Sequence, residues 1–280
     1  MPRKHVIGPS PSAVEWIERE AWIDIYEAAP AAVNTALKLH STLIGETPVF
    51  ACLGIPISEL NRAFMLDDLA KPKIDDAAQW LEDIAAPNFA LQIAANDTTA
   101  ELQAWARRNH FEPFGNGWSK LTKNIAFDEE GDLVQNERIS FTTDPDPALY
   151  GRLVVSAMGL PEAAQAWFSA LVGRPNWTTI VAMLDGEPVG SGALFVKDTW
   201  AWFGIDGTID SARRQGVQAA LIQFRIRSAR KLGAFYLTAE TGRPEKADGK
   251  HTSRQNYIRN GFSEAYHRLN FKTKTEDGAS

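Results

Sequence analysis

The 280-residue chain contains one cysteine, Cys52, and so can form no disulfide within itself. That suits a reducing compartment, and the expected location is cytoplasmic. The apolar neighbours Phe50, Ala51 and Leu53 mark Cys52 as a buried structural thiol. No stretch approaches the 18 or so apolar residues of a membrane span. Met1 to His5 carries charge, and Val6-Ile7-Gly8-Pro9-Ser10-Pro11 is no hydrophobic run of signal length. Histidines number five, with no His-Glu-x-x-His and no clustered Cys/His spacing, so no metal is expected. A Gly-x-Ser-x-Gly elbow is absent and Cys52 has no identifiable histidine partner, which disfavours nucleophilic hydrolysis. Basic residues are in deficit, 29 against 35 acidic ones, for a net charge of -6. A nucleic-acid binder needs a basic stripe, so none is expected as partner, although a local basic site is not excluded.

What is present is ordinary globular composition, 44% hydrophobic and 23% charged, long enough for two modest domains or one large one. Nine tryptophans imply large cores or aromatic-lined pockets without deciding between them.

Along the first half, Pro30 to His40 reads as a helix, Pro48 to Leu53 as a strand and Asp75 to Ala85 as a helix. Phe89 to Ala94 reads as a strand. Thr99 to Asn109 reads as a helix, with Thr98 and Glu101 spaced as a capping box. Gly117-Trp118-Ser119-Lys120-Leu121 opens a closing strand. The acidic run Asp128 to Asp132 reads as a solvated turn. It is followed by the proline-rich Thr142 to Pro147, and the boundary between halves is expected within 125–147.

The second half is clearer. Pro161 opens a helix to Leu171, with Ala164, Trp167, Phe168 and Leu171 at inner-face spacing. Thr178–Leu184, the turn Asp185-Gly186, Pro188–Val196 and Trp200–Ile205 read as an antiparallel meander. A helix from Val217 to Leu232 follows, its Arg225, Arg227 and Arg230 read as solvated surface. Phe235 to Glu240 is a strand. Gly242 to Lys250 reads as a polar loop, either a substrate cover or plain surface. Ser253 to Asn260 is a helix ended by Gly261, and Glu264 to Phe271 is the last strand.

The strongest local signal is Ala212-Arg213-Arg214-Gln215-Gly216-Val217-Gln218-Ala219-Ala220, at a strand-to-helix junction. A helix start offers unpaired N–H groups and partial positive charge. Gly216 lets a ligand approach the backbone, and Arg213 and Arg214 add charge-assisted bonds, so a phosphate-bearing ligand is expected. A weaker signal is an internal echo. Trp105-Ala106-Arg107-Arg108-Asn109-His110-Phe111 matches Asn256-Tyr257-Ile258-Arg259-Asn260-Gly261-Phe262, each after a strand and before another, which suggests two related folding units.

With the hairpin Thr178–Val196, the strand Trp200–Ile205, the Arg213-x-x-Gly216 loop and Tyr257-x-x-x-Gly261-Phe262 in this order, residues 150–272 resemble the GNAT family of N-acetyltransferases. Gln218 departs from the Gly or Ala of the family's loop. The first half resembles a degenerate copy, with no Arg-x-x-Gly loop and Ala106 where the second half has Tyr257. The resemblance implies an α+β GNAT fold, a central mixed, mostly antiparallel sheet flanked by helices and duplicated. It divides the chain into a degenerate domain at 1–130, a linker at 131–147 and a catalytic domain at 148–280.

The resemblance further implies transfer of an acetyl group from acetyl-CoA to a primary amine, expected to be a small molecule. The pyrophosphate would rest on the loop Arg213, Arg214, Gln215, Gly216, Val217, Gln218 and Ala219. The pantetheine arm would lie along Gly207, Thr208 and Ile209. Tyr257 would protonate the departing thiolate, with a packing tyrosine as the bland reading. The base stays open between Glu240, Asp206 and solvent or another residue. Trp200 and Trp202 share one strand face and Phe203 takes the other, as acceptor wall or as core. The alternatives are a non-catalytic acyl-CoA-binding or interaction module and a protein N-acetyltransferase. Oligomeric state, monomer or homodimer, is not legible.

Overall fold

The computed structural model describes residues 10–66, 74–95, 99–126, 136–244 and 252–273. Its first helix, α1 (Pro11–Glu27), starts where Ser10 accepts a bond from the Ala13 N–H at 3.3 Å and Pro11 takes the first turn. There follow α2 (Ala31–Leu37), β1 (Leu39–Ile44), β2 (Thr47–Cys52), β3 (Arg62–Leu66), α3 (Ile74–Ala85), β4 (Ala90–Ala94), α4 (Ala100–Arg108) and β5 (Phe111–Asn124). After β6 (Ile139–Thr142) the same succession returns. It runs α5 (Pro147–Met158), α6 (Gln165–Ser169), β7 (Trp177–Leu184), β8 (Glu187–Lys197), β9 (Trp200–Thr208), α7 (Val217–Lys231), β10 (Tyr236–Gly242), α8 (Thr252–Arg259) and β11 (Ser263–Thr273). Two helices, three strands, helix, strand, helix, strand: the order occurs twice, so the duplication is visible in the elements themselves.

All eleven strands form one sheet, in the order β1-β2-β3-β4-β11-β5-β10-β9-β8-β7-β6. Exchanging each strand of one half for its counterpart reverses this order, apart from the extra edge strand β6. A pseudo-twofold axis therefore lies between β5 and β11. The closing strands have changed places. β5 pairs with β10 of the second half, and β11 pairs with β4 of the first. The two exchanged strands also pair with each other, Ser263↔Thr122 through Thr273↔Phe111.

The sequence reading of the second half is largely matched, including the antiparallel β7-β8-β9 meander and the left-handed Gly261 (φ 82°) after α8. His110 (φ 64°) occupies the corresponding place after α4, which gives the internal echo a structural basis. Several elements escaped that reading. The helix expected at 30–40 stops at Leu37, because Lys38 turns left-handed (φ 51°), and Leu39 begins β1. β1 is an edge strand with His40 and Ser41 exposed, so it lacks an apolar signature. β6 falls in the segment read as a linker and pairs with β7. The helix expected from Pro161 is shorter, a 3-10 turn followed by α6. Arg225, read as surface, is fully buried. Thr98, Asp128–Asp132 and most of the loop expected at Gly242–Lys250 lie outside the described residues.

The largest apolar core ignores the division into halves. Ile17, Trp22 and Phe50 pack in it together with Trp167, Trp177 and Trp202. α1 is therefore shared. Asp24 near its end accepts from the Trp177 indole at 2.6 Å and pairs with Arg174, and the Trp167 indole donates to the Ile25 carbonyl at 2.6 Å. Cys52 is fully buried and its thiol pKa is pushed up to about 11 by burial.

A charged cluster lies across the exchanged strands. Arg268 of β11 pairs with Glu15 (2.5 Å) and Glu18 (2.8 Å) of α1 and with Glu240 of β10 (2.8 Å). Lys120 of β5 bonds Glu18 and stands 3.7 Å from Glu240, and Arg62 of β3 lies 3.4 Å from both. Three cations meet three carboxylates, so the cluster is neutral, as burial demands. Burial opposes ionisation of Glu18, but Arg268, Lys120 and Arg62 together outweigh it and hold the carboxyl well below its usual range. A depressed folded-state pKa contributes stability above the ordinary glutamate value of 4.5 and loses it as the pH falls below that value. Arg268→Met, which strands Glu15 and Glu18, is expected to cost about 3–5 kcal/mol by denaturant titration at neutral pH. The deficit should narrow in acid; an equal cost at pH 7 and pH 4 would contradict the assignment.

Candidate functional site

β9 and β10 run parallel and pair only from Trp200↔Tyr236 to Phe203↔Ala239. Beyond that point Gly204–Thr208 stays with β8, and Glu240–Gly242 stays with β5. The two strands therefore part and open a slot in the sheet. The parting begins at a bulge where Ile205 adopts φ 51°, an uncommon conformation for a β-branched residue. The first half has the corresponding bulge at Met65 (φ 60°), but there β3 and β4 pair again at Leu66↔Ile93. Both residues are buried, so the sheet is closed at that position.

α7 begins at the mouth of the slot. Its N-cap, Gly216, has φ 85° and ψ -4°, and no side chain caps the helix. The first-turn N–H groups thus face outward without an intrahelical partner. A Cβ at Gly216 would meet nothing within 4 Å, so glycine is needed there for its backbone conformation. Arg214 is also left-handed (φ 63°). The first turn of α7 has no acidic residue, whereas its counterpart α3 opens with Asp75 and Asp76, which repel an anion.

Slot and loop belong to one cleft of about 1270 Å³ that draws on both halves. Of the residues expected to hold a cofactor, Gly207, Thr208, Arg213, Arg214, Gly216, Val217, Gln218 and Ala219 line it. Ile209 does not, and its N–H donates to the Val189 carbonyl at 2.9 Å. Gln215 does not either; its amide turns to the Ser211 carbonyl at 3.4 Å. Gln218 neither blocks the loop nor hangs free. Its amide donates to the Ser253 hydroxyl (3.0 Å) and accepts from the Asn256 amide (2.8 Å), tying α7 to α8 beside the cleft.

The three candidate catalytic residues separate into two groups. Glu240 lines the cleft but belongs to the buried charged cluster, with Arg62 on Oε1 and Arg268 and Lys120 on Oε2. Asp206 and Tyr257 form a second group through Arg225 of α7. The Arg225 guanidinium donates to Asp206 Oδ1 (3.1 Å) and to the Tyr257 hydroxyl (3.0 Å), and stacks 4.8 Å over the Phe203 ring. The Tyr257 hydroxyl in turn donates to Asp206 Oδ1 at 3.4 Å. Both contacts fall on Oδ1, so Oδ2 is the oxygen left for the cleft, which Asp206 lines. Tyr257 is buried behind it, and burial pushes its phenol pKa up. Arg225 was missed in sequence because an arginine on an amphipathic helix reads as surface; nothing in the local pattern marks it. Trp202 and Phe203 line the cleft as well as the core, while Trp200 stacks on Tyr236 at 5.0 Å.

Among the described residues no helix is long and apolar enough to cross a membrane. No family model matches the sequence, and no curated protein matches it. Solved structures do. A GCN5-related N-acetyltransferase from Kribbella flavida is similar over 94% of this chain and 96% of its own, with TM-score 0.58 and 13% identity. A tandem GNAT protein from the clavulanic acid biosynthesis pathway gives the same figures, 94% and 96%, TM-score 0.58, 13% identity. A GCN5-related N-acetyltransferase from Sphaerobacter thermophilus covers 81% of this chain and 80% of its own, at TM-score 0.58 and 14% identity. The fold is the GNAT fold in duplicate.

Burial raises the phenol pKa of Tyr26, Tyr150, Tyr257 and Tyr266 alike. A raised phenol contributes stability below the ordinary value near 10 and loses it as the pH climbs toward the folded value. In a spectrophotometric titration these four should ionise only together with alkaline unfolding. Their ionisation near pH 10 with the near-ultraviolet dichroism intact would contradict the burial described here.

Proposed function

We propose that the chain is an acetyl-CoA-dependent N-acetyltransferase acting on a small-molecule primary amine, with 148–280 as the catalytic half and 1–130 as a degenerate partner. One observation carries the reading. The open slot between β9 and β10 meets an uncapped, non-acidic helix start in the second half, and both features are closed or reversed in the first.

The residues fit the ligand. N–H groups of Gly216 to Ala219 would take the pyrophosphate, with Arg213 and Arg214 beside them. The unpaired edge at Gly207 and Thr208 would hold the pantetheine arm. Acetyl-CoA supplies an acetyl group activated as a thioester. The ammonium form of the acceptor first gives up one proton to solvent; the neutral amine then attacks, and we assign the proton that the nitrogen sheds as the amide forms to Asp206 Oδ2. Glu240 is the weaker candidate, since both its oxygens are held by cations of the buried cluster. Arg225 fixes Asp206 and Tyr257 relative to each other. Tyr257, expected as the acid, is buried behind Asp206 and outside the cleft lining, so we assign it to holding Asp206 through its hydrogen bond, and the protonated Asp206 passes the proton it took from nitrogen to the departing sulfur. The cycle leaves an amide, a free thiol and both side chains as they began.

The burial of Tyr257 favours one second reading, an acyl-CoA-binding module without turnover. Calorimetric titration with acetyl-CoA tests what the two readings share. One molecule should bind per chain, and Arg213→Ala combined with Gly216→Glu should weaken binding more than tenfold, by putting a carboxylate where the phosphates rest. No binding by the unaltered protein would overturn both. Binding with no acetylation across an amine panel would select the module.

A further inference from the structure

The charges along the cleft are sorted. Four carboxylates line it: Glu18, Glu59, Asp206 and Glu240. Three are neutralised by buried cations, Glu18 and Glu240 within the charged cluster and Asp206 by Arg225. Glu59 alone among them has no cation beside it in the described residues; its neighbour is the Ser58 hydroxyl at 3.5 Å. On the cofactor side the imbalance is reversed. Arg214, before α7, and Arg259, in the last turn of α8, line the cleft with no carboxylate paired to either among the described residues. Positive charge thus gathers on the phosphate loop and on α8, and one uncompensated negative charge is contributed by the first half.

Glu59 is also held in place. The segment between β2 and β3 is clamped by Asn61, which is fully buried. The Asn61 amide donates to the carbonyls of Ile57 (2.9 Å), Ile55 (3.0 Å) and Cys52 (3.3 Å), and its oxygen accepts from the Cys52 N–H at 2.8 Å. On the other side of Glu59, Tyr26 donates to the Leu60 carbonyl at 2.6 Å. The backbone that carries Glu59 is thus fixed, so little loop freedom is lost when its carboxylate binds. The same cleft is also lined by Trp22, Trp118 and Trp202, and the Arg62 guanidinium already stacks 4.7 Å over the Trp22 ring, as cations do on aromatic faces.

From these features we infer that the acceptor carries a second, protonated nitrogen, and that Glu59 binds it. The inference rests on the acetyltransferase reading. The attacking nitrogen has to be neutral and is matched to Asp206. The unpaired carboxylate of Glu59 in the same cleft is then available to a different nitrogen of the same molecule. The acceptor class is a diamine or longer polyamine, and the first half, which lacks a cofactor slot of its own, supplies the group that selects it.

The test uses the full chain and three acceptors of matched length: butylamine, 1,4-diaminobutane and 4-aminobutyrate. The diamine should exceed butylamine by about tenfold or more in kcat/KM, with the amino acid the poorest. Glu59→Gln should abolish the preference for the diamine, through KM rather than kcat, with acetyl-CoA affinity unchanged. Glu59→Lys should move the preference to 4-aminobutyrate. A diamine preference that survives Glu59→Gln, or a wild-type preference for the amino acid, would overturn the proposal. Direct calorimetry of 1,4-diaminobutane against butylamine reads the same selectivity even without turnover. Acetyl-CoA binding without selective diamine binding defeats the Glu59 assignment alone, and selective diamine binding without acetyl-CoA binding defeats the acetyltransferase reading alone.

Discussion

The Arg268–Glu18 pair, with the charged groups around it, is the contact on which the arrangement of the molecule turns. Arg268 lies on the last strand of the chain and Glu18 on its first helix. They meet with β11 crossed into the first half and β5 into the second. A buried cation placed beside the wrong strand would face an uncompensated desolvation cost of several kcal/mol. The cluster is therefore well suited to fixing which strand sits where. Apolar strands alone would discriminate poorly between the exchanged and unexchanged pairings, because the two halves offer similar edges.

The exchange has a direct consequence for the cleft. Because β5 lies beside β10, the far side of the slot is built partly from the first half, and Trp118 of β5 lines the cleft with Glu240 of β10. α1 reaches the same place through Glu18 and Trp22. The halves are symmetric in topology and opposite in chemistry. One keeps the sheet open, leaves its helix start uncapped and places Asp206 just after the bulge. The other repairs the sheet, opens its helix with two aspartates and has Leu66 after the same bulge. In this duplicated scaffold the second half opens the cleft and the first half supplies part of its wall.

The second half was legible in sequence because its signals are local. The Asp185-Gly186 turn, the Arg213–Ala219 junction and the Tyr257–Phe262 piece each report a nearby backbone conformation. What could not be read depends on partners distant in the chain. α1 bears two glutamates on its inner face, which breaks the apolar stripe that would announce a buried helix. Lys120, Arg62, Arg225 and Arg268 are buried charges whose compensation comes from other elements, and in sequence each resembles surface. The strand exchange leaves no local mark, since β5 and β11 have strand patterns whichever neighbour they take. Among the candidate site residues, Asp206 and the loop residues other than Gln215 line the cleft, while Tyr257 stands behind Asp206 and Glu240 is held by the charged cluster.

A crystal structure of the full chain grown with acetyl-CoA tests the central claim, that one half of a symmetric fold retains the chemistry, most directly. The account predicts a single ligand per chain, its pyrophosphate on the N–H groups at the start of α7, its pantetheine arm between β9 and β10, and its acetyl carbon facing Asp206. A ligand seated between β3 and β4, or one in each half, would contradict it.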